Sequence, residues 1–305
     1  MIYLLLSIFC NALLFIILKY FERFRINNLQ AIVVNYLCAC TLGLINNHCS
    51  MPLSAAPSTP WAPVAVLLGG MFIIVFLLIA KTAQEIGVSA ATVANKMSVI
   101  IPVTVALLYY HNSFGILKLT GIFMAMVAVY FTSKKNVETE TPACRNGAGV
   151  TAGRERVKRS LWIILLPLIV FIGSGTADAF VNYAQEKLVP KEETSLFVAA
   201  FFAVAGSIGL TWISLRFIIH KETIAFRSIL GGIVLGIPNY LSIYFMIKAL
   251  NSHIFESSVL YPLNNMGIVL LSAAGGYFLL KEKLSPVNLL GIALSIVSIA
   301  LIAFS

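Results

Sequence analysis

Charge is scarce in this chain. Of its 305 residues only 11% are charged and 59% are hydrophobic, whereas about 25% of residues are charged in a typical soluble domain. The apolar residues fall into runs of roughly 17–25, the length that crosses about 30 Å of hydrocarbon as a helix. The composition excludes an ordinary soluble protein and predicts an all-α integral membrane protein.

Acidic residues are scarcer than basic ones. The chain has 12 Asp and Glu against 21 Lys and Arg, for a formal net charge of +9. Apart from Lys96, the basic residues lie in the connections between apolar runs or at their ends, where they are typical of the cytoplasmic side of a membrane protein. No polar stretch is long enough to form a nucleic-acid-binding module. We therefore expect the partner to be a lipid bilayer, with no nucleic acid.

Residues typical of metal sites and covalent catalysis are also few. The five cysteines form no CxxC pair, and neither an HExxH motif nor an ATP-binding P-loop occurs. The four histidines lie in loops or at predicted helix ends: His48, His111, His220 and His253. These absences predict no metal or cofactor and argue against a membrane-embedded enzyme. Any transport would draw its energy from gradients or from the solute.

Hydropathy and breakers predict ten transmembrane helices. Five lie in the range 1–132 and five in the range 161–305: 2–20, 29–46, 63–80, 88–110, 116–132, 161–183, 195–218, 228–248, 256–280 and 287–304. Pro102 falls inside one of them and removes a backbone hydrogen bond there. The stretch 133–160 is rich in charge, Thr and Gly, and we predict a flexible linker. Basic residues concentrate in this linker and in the loops on its side, which predicts a cytoplasmic linker and both termini outside.

The two halves repeat one another. Leu68-Gly69-Gly70 corresponds to Leu230-Gly231-Gly232, and Leu119-Thr120-Gly121-Ile122 corresponds to Leu289-Leu290-Gly291-Ile292. Between them, Asn95-Lys96-Met97-Ser98-Val99 corresponds to Asn264-Asn265-Met266-Gly267-Ile268. Because five is odd, the second half must enter the membrane in the opposite orientation. The pattern predicts two inverted five-helix repeats, as in secondary transporters.

The closing segment resembles the C-terminal repeat of the drug/metabolite transporter superfamily, EamA type. The resemblance rests on Tyr261-Pro262-Leu263, Lys281-Glu282-Lys283-Leu284-Ser285-Pro286 and Leu290-Gly291-Ile292. The first repeat departs from this pattern, since His111-Asn112-Ser113 stands where the Glu-containing turn would be. The resemblance implies alternating-access transport of small organic solutes, often export. Members are often drawn with cytoplasmic termini, which differs from the orientation that the loop charges predict.

Two ionisable residues lie deep in predicted helices. Lys96 is about nine residues into the helix 88–110, and Asp178 lies in the helix 161–183 with Asn182 one turn further on. A charge at the bilayer centre costs about 2.5–3.5 kcal/mol on insertion scales, so it normally faces a partner or a water-filled cavity. We expect Lys96 to attract an anionic group of a substrate or to change protonation, and Asp178 to be its counterpart. A purely structural ion pair, or a solvated Asp178, is the alternative.

Amides and a tyrosine complete the candidate substrate site. Amides near mid-helix can hydrogen-bond a polar solute at the repeat interface, but they also fasten membrane helices together. The asparagine pair 264–265 stands out because it occupies the repeat position of Asn95-Lys96. The candidate residues beyond Lys96, Asp178 and Asn182 are Asn95, Asn239, Asn264, Asn265 and Tyr261.

These features favour a secondary transporter that moves small organic metabolites or drugs across a bacterial inner or cell membrane, in the export direction. H⁺ or another ion is the expected coupling partner, and a monomer or homodimer suffices because one chain holds both repeats. A membrane channel or a membrane-embedded enzyme is the alternative. A channel would need a charged or carbonyl-lined pore.

Overall fold

Helices form the architecture of this chain. The computed structural model describes residues 1–46, 53–109, 116–133, 151–190, 193–221, 223–250, 252 and 257–303. In these ranges there is no β-strand, which confirms the all-α prediction for them. The α-helices are α1 (Ile2–Arg23), α2 (Asn28–Asn46), α3 (Ala62–Glu85), α4 (Val88–Met97), α5 (Ile100–Tyr109), α6 (Ile116–Ser133), α7 (Thr151–Lys187), α8 (Thr194–His220), α9 (Phe226–Leu250), α10 (Ser257–Phe278) and α11 (Pro286–Ala303).

Each predicted segment contains a helix, with two differences. The segment 88–110 is divided at Ser98–Val99 into α4 and α5. The helix α7 begins at Thr151, inside the stretch 133–160 that the sequence predicted as a linker. Residues 134–150 of that stretch, and the turn at 111–113, lie outside the described residues.

Within the described ranges, six helices are long and apolar enough to cross a membrane, as expected of a membrane protein. They are Ile2–Arg23, Asn28–Ile45, Ala62–Glu85, Leu165–Gln185, Leu196–Ile219 and Phe226–Met246. Large apolar side chains lie exposed along single helical faces. On α9 the exposed residues Leu230, Ile233, Val234 and Ile237 follow the spacing of one face, and on α8 Ile218 is 73% exposed. Such faces are stable against hydrocarbon and costly against water.

The helices of the first half pair with those of the second in a symmetric manner. We match α1 to α7, α2 to α8 and α3 to α9. The helices α4 and α5 together are matched to α10, and α6 is matched to α11. The pair α2–α9 then corresponds to α8–α3, α1–α9 to α7–α3, α1–α10 to α7–α4, and α4–α6 to α10–α11. Three further pairs join matched helices directly: α2–α8, α4–α10 and α6–α11. Exchanging the two sets leaves all these pairs unchanged.

Glycines from the repeated Leu-Gly-Gly motifs lie at two of these matched crossings. A β-carbon at Gly69 of α3 would lie 2.5 Å from Cγ1 of Val204 in α8. A β-carbon at Gly232 of α9 would lie 2.5 Å from the carbonyl oxygen of Ala31 in α2. Small residues allow membrane helices to approach closely, so each motif places one glycine at a close crossing, the first glycine in α3 and the second in α9.

Candidate functional site

The contact between α4 and α7 carries the predicted charges. The side-chain amide of Asn95 in α4 donates a hydrogen bond of 2.9 Å to Oγ of the buried Ser174 in α7. One residue further along α7, a β-carbon at Gly175 would lie 2.6 Å from the carbonyl oxygen of Ser98. The two backbones therefore approach closely here, and the turn that follows Ser174 brings Asp178 to the same region as Lys96.

The helix is interrupted directly after Lys96. α4 ends at Met97 and α5 begins at Ile100. Pro102 has no N–H with which to bond the Ser98 carbonyl, which instead accepts a hydrogen bond of 2.9 Å from the N–H of Ile101. Lys96 thus lies in the last turn of α4, where the negative end of the helix dipole favours a cation.

Lys96 and Asp178 interact electrostatically without direct contact. Each charge acts on the other, yet among the described residues no ion pair within 4.0 Å joins the two. Lys96 is partly buried, whereas Asp178 and Asn182 are exposed on α7 although both lie within the apolar span Leu165–Gln185. The arrangement leaves the carboxylate and the amide open to an incoming polar group.

The asparagine pair of the second repeat lies on a helix that contacts α4. α10 packs against both α4 and α1. Asn264 is buried, and its Oδ1 has no hydrogen-bond partner among the described residues, while Asn265 is partly buried. Tyr261 belongs to α10 one turn earlier, but its side chain lies outside what the structure describes.

Asn239 fastens two helices together. Its side-chain amide in α9 donates a hydrogen bond of 3.1 Å to Oδ1 of Asn35 in α2, and both residues are buried. One turn along, Gly236 lets the same helices approach, since a β-carbon there would lie 3.0 Å from the Asn35 carbonyl oxygen. This contact is an interhelical hydrogen bond, the role that the sequence predicts for Asn239 as the alternative to substrate binding.

Glu282 makes a contact that its position in a turn did not predict. The residue follows α10 and its carboxylate Oε1 accepts a hydrogen bond of 2.8 Å from the backbone N–H of Val88, the first residue of α4. The backbone N–H of Ser89 also acts on the carboxylate. The side chain therefore joins the end of the second half to the start of the helix that carries Lys96.

The sequence pattern predicts the two charged residues but not the residues that position them. Ser174, Gly175 and Ser98 fix the α4–α7 contact, and none was predicted as part of the site. A usable signal existed for two of them, because Gly173-Ser174-Gly175 places small residues one turn before Asp178.

The chain is similar to a protein that is described as uncharacterized. No protein-family model matches the chain. A Haemophilus influenzae strain Rd protein, described as uncharacterized, is 25% identical over 303 residues, which cover 97% of this chain and 95% of that protein. The similarity extends across both halves and the stretch between them.

Proposed function

We propose that this chain is a secondary transporter for small organic solutes that carry an anionic group, with Lys96 and Asp178 in its substrate site. The observation that carries the proposal is the juxtaposition of these opposite charges, without direct contact, beside an interrupted helix. Interrupted helices with polar side chains near the midplane are typical of transporter substrate sites. A carboxylate facing lipid is costly, so the exposed sides of Asp178 and Asn182 are expected to line a water-filled space.

The symmetric helix pairing supports two repeats. Every major pair between the halves has a matched counterpart or joins matched helices, and five-helix repeats in one chain must be inverted. We propose ten membrane spans. Six are the apolar helices described above, α4 and α5 together form the seventh, and α6, α10 and α11 form the other three. In such a protein the halves can rock against each other and expose the site to each side in turn.

The chemistry of the site favours an anionic or amphoteric solute. Lys96 offers an ammonium group. Asn95 is next to it in the chain, and Asn265 occupies the position of the second repeat that corresponds to Lys96, so both can offer a side-chain amide. Asp178 would bind a cationic group of the solute or a proton. We propose H⁺ or another ion as the coupling partner, export from a bacterial cell across its inner membrane, and a monomer or homodimer as the working unit.

Reconstituted protein tests the proposal directly. Purified protein in liposomes would be given a mixed metabolite library, with and without a pH gradient, and uptake would be measured by mass spectrometry. We expect selective, saturable movement of a solute class that carries an anionic group. Movement of every small solute at a rate proportional to its concentration would indicate a channel and contradict the proposal.

Variants of the charged pair then test the site. Lys96→Ala removes a charge-assisted interaction worth about 1.5–3 kcal/mol, so we expect roughly a tenfold or greater loss of transport. Asp178→Asn should give a comparable loss, and the double variant should lose less than the product of the two effects. Lys283→Ala is the matched control because Lys283 is exposed in the turn after α10. Unchanged affinity and rate in folded Lys96→Ala would refute the role of Lys96.

A further inference from the structure

Glu282 joins the second half of the protein to the first half at the start of α4. Its carboxylate Oε1 accepts a hydrogen bond of 2.8 Å from the backbone N–H of Val88. Two glycines make room for the carboxylate: a β-carbon at Gly276 would lie 2.6 Å from Oε2 of Glu282, and one at Gly87 would lie 3.3 Å from both carboxylate oxygens. Gly87 also has φ +147°, a conformation that other residues rarely adopt. The backbone of both halves therefore fits this carboxylate.

The surroundings of the carboxylate favour its ionised form. The backbone N–H groups of Val88 and Ser89 can only donate hydrogen bonds, and at the start of α4 they belong to the positive end of the helix dipole. Lys19 on α1 adds a positive charge that acts on the same carboxylate. Hydrogen bonds to a charged acceptor are about twice as strong as neutral ones. An ionised Glu282 therefore holds the start of α4 more strongly than a neutral side chain would.

The helix ends of the first half are joined to one another around this contact. Nζ of Lys19 donates a hydrogen bond to the backbone oxygen of Gln84 at the end of α3. The side-chain amides of Gln84 and Asn28, at the start of α2, exchange two hydrogen bonds of 2.8 and 2.9 Å. The Gln84 amide also donates one to the carbonyl oxygen of Leu18 in α1. Glu282 from the second half thus binds a connected group of first-half helix ends.

The contact lies at the end of the molecule where the stretch 133–160 begins, here called the linker side. Asn288, near the start of α11, donates hydrogen bonds to the carbonyl oxygens of Phe131 and Thr132 at the end of α6. The helix α6 ends at the first residue of that stretch. Because Glu282 lies in the short turn that leads into α11, it is on the linker side as well.

We propose that the ionised carboxylate of Glu282 is a clasp between the two halves that keeps the linker side of the protein closed. This inference rests on the proposed function, in which the halves rock and open the site to each side in turn. Opening on the linker side would separate the end of α10 from the start of α4 and break the contact. Opening on the opposite side would leave the contact intact.

The repeat places no equivalent clasp on the opposite side. In the register that pairs residue 95 with residue 264, Glu282 corresponds to Ser113 and Gly87 corresponds to Glu256. The opposite side therefore has neither the carboxylate in the turn nor the glycine that makes room for it. This difference between the halves would favour the state that is closed on the linker side.

Thiol labelling tests the clasp in the full-length protein in nanodiscs, where both membrane faces are accessible. Ser89→Cys, in a variant whose five native cysteines are replaced by alanine, places a probe next to the clasp. Ser89 is buried, and its hydroxyl has no partner among the described residues. We expect Glu282→Gln to raise the rate at which a water-soluble maleimide labels this probe by about five- to tenfold, because the variant keeps an oxygen acceptor but loses the charge.

A probe on the opposite side separates a clasp from general stabilisation. Ser7 is buried near the start of α1, at the other end of that helix from Lys19. Labelling of Ser7→Cys should be no faster in Glu282→Gln than in the wild-type background. Equal acceleration at both probes would mean that Glu282 stabilises the whole fold, and would overturn the proposal. Glu22→Gln is the matched control, since Glu22 also contacts Lys19 but is exposed, and acceleration as large as that of Glu282→Gln would overturn the proposal too.

Gly276→Ala provides a second variant that keeps the charge of Glu282. Its methyl group would displace the carboxylate, so it should speed labelling at the Ser89→Cys probe alone. An unchanged labelling rate at that probe in both Gly276→Ala and Glu282→Gln would refute the clasp. Faster labelling on the linker side in a protein that moves no solute would refute the transport function alone. An unchanged rate in a protein that transports would refute the clasp alone.

Discussion

Substitution of Gly175 by alanine tests the contact on which the candidate site depends. The added β-carbon would lie 2.5 Å from Cδ1 of Ile101, 2.6 Å from the Ser98 carbonyl oxygen and 2.8 Å from Cβ of Ile101. The side-chain end of Ile101 can rotate away, but a backbone oxygen and a β-carbon cannot. α7 must therefore move away from α4, and overpacking of this kind costs about 1–3 kcal/mol.

Gly70→Ala is the matched control. It also adds one methyl group to an apolar helix, but its β-carbon would meet only Cδ1 of Ile208, at 3.9 Å. That distance is an ordinary van der Waals contact, and alanine is better than glycine within a helix by about 0.5–1 kcal/mol. We therefore expect Gly70→Ala to be as stable as the wild type or slightly more stable.

Equilibrium unfolding of both variants in mixed detergent micelles would give the two free energies. Both substitutions replace a helical glycine by alanine, so the gain in helix propensity cancels, and we expect Gly175→Ala to be less stable than Gly70→Ala by about 1–3 kcal/mol, the cost of overpacking. Solute transport should also fall in Gly175→Ala, because Asp178 would be displaced from Lys96. Equal stability of the two variants would mean that α7 and α4 do not approach closely at this point, and the proposed site would lose its geometric basis.

Two further substitutions test named hydrogen bonds. Ser174→Ala removes the partner of Asn95, and we expect a loss of about 0.6 kcal/mol in unfolding free energy, the average for such bonds in membranes, together with slower transport. Trp61→Phe removes the 2.8 Å bond from Nε1 to Glu193 and should cost about 1.5–3 kcal/mol, since the acceptor is a carboxylate. Trp212→Phe is the control because Trp212 is 45% exposed, and a shift in melting temperature as large as that of Trp61→Phe would contradict the prediction.

The sequence predicts helices well in this chain because lipid imposes a simple rule. Backbone groups must be satisfied within each span, so long apolar runs become helices. The interruption after Met97 was harder to predict, because Ser98 and Val99 are not helix breakers. Its cause lies one turn later: Pro102 cannot bond the Ser98 carbonyl, and the chain bends where that bond is missing rather than at the proline itself.

The charged members of the site were predictable and their supports were not. Lys96 and Asp178 stand out because a charge in an apolar helix is costly wherever it lies. Ser174 has no such cost, since a serine hydroxyl can also bond to the carbonyl one turn earlier in its own helix. Glu282 was ambiguous for another reason: an acidic residue in a turn needs no partner, and only the proximity of α4 to the end of α10 reveals one.

The two halves share their packing but differ in their chemistry. The lysine of α4 corresponds to Asn265 on α10, and α10 has no proline at the position that corresponds to Pro102 and is not interrupted. α7 carries Asp178, whereas the matched helix α1 has no acidic residue before Glu22. In the proposed alternating-access mechanism, symmetric packing would give two access states of similar energy. Because Lys96 and Asp178 lie where α4 meets α7, we expect a solute of the proposed transporter to bind in one orientation, with its anionic group towards Lys96.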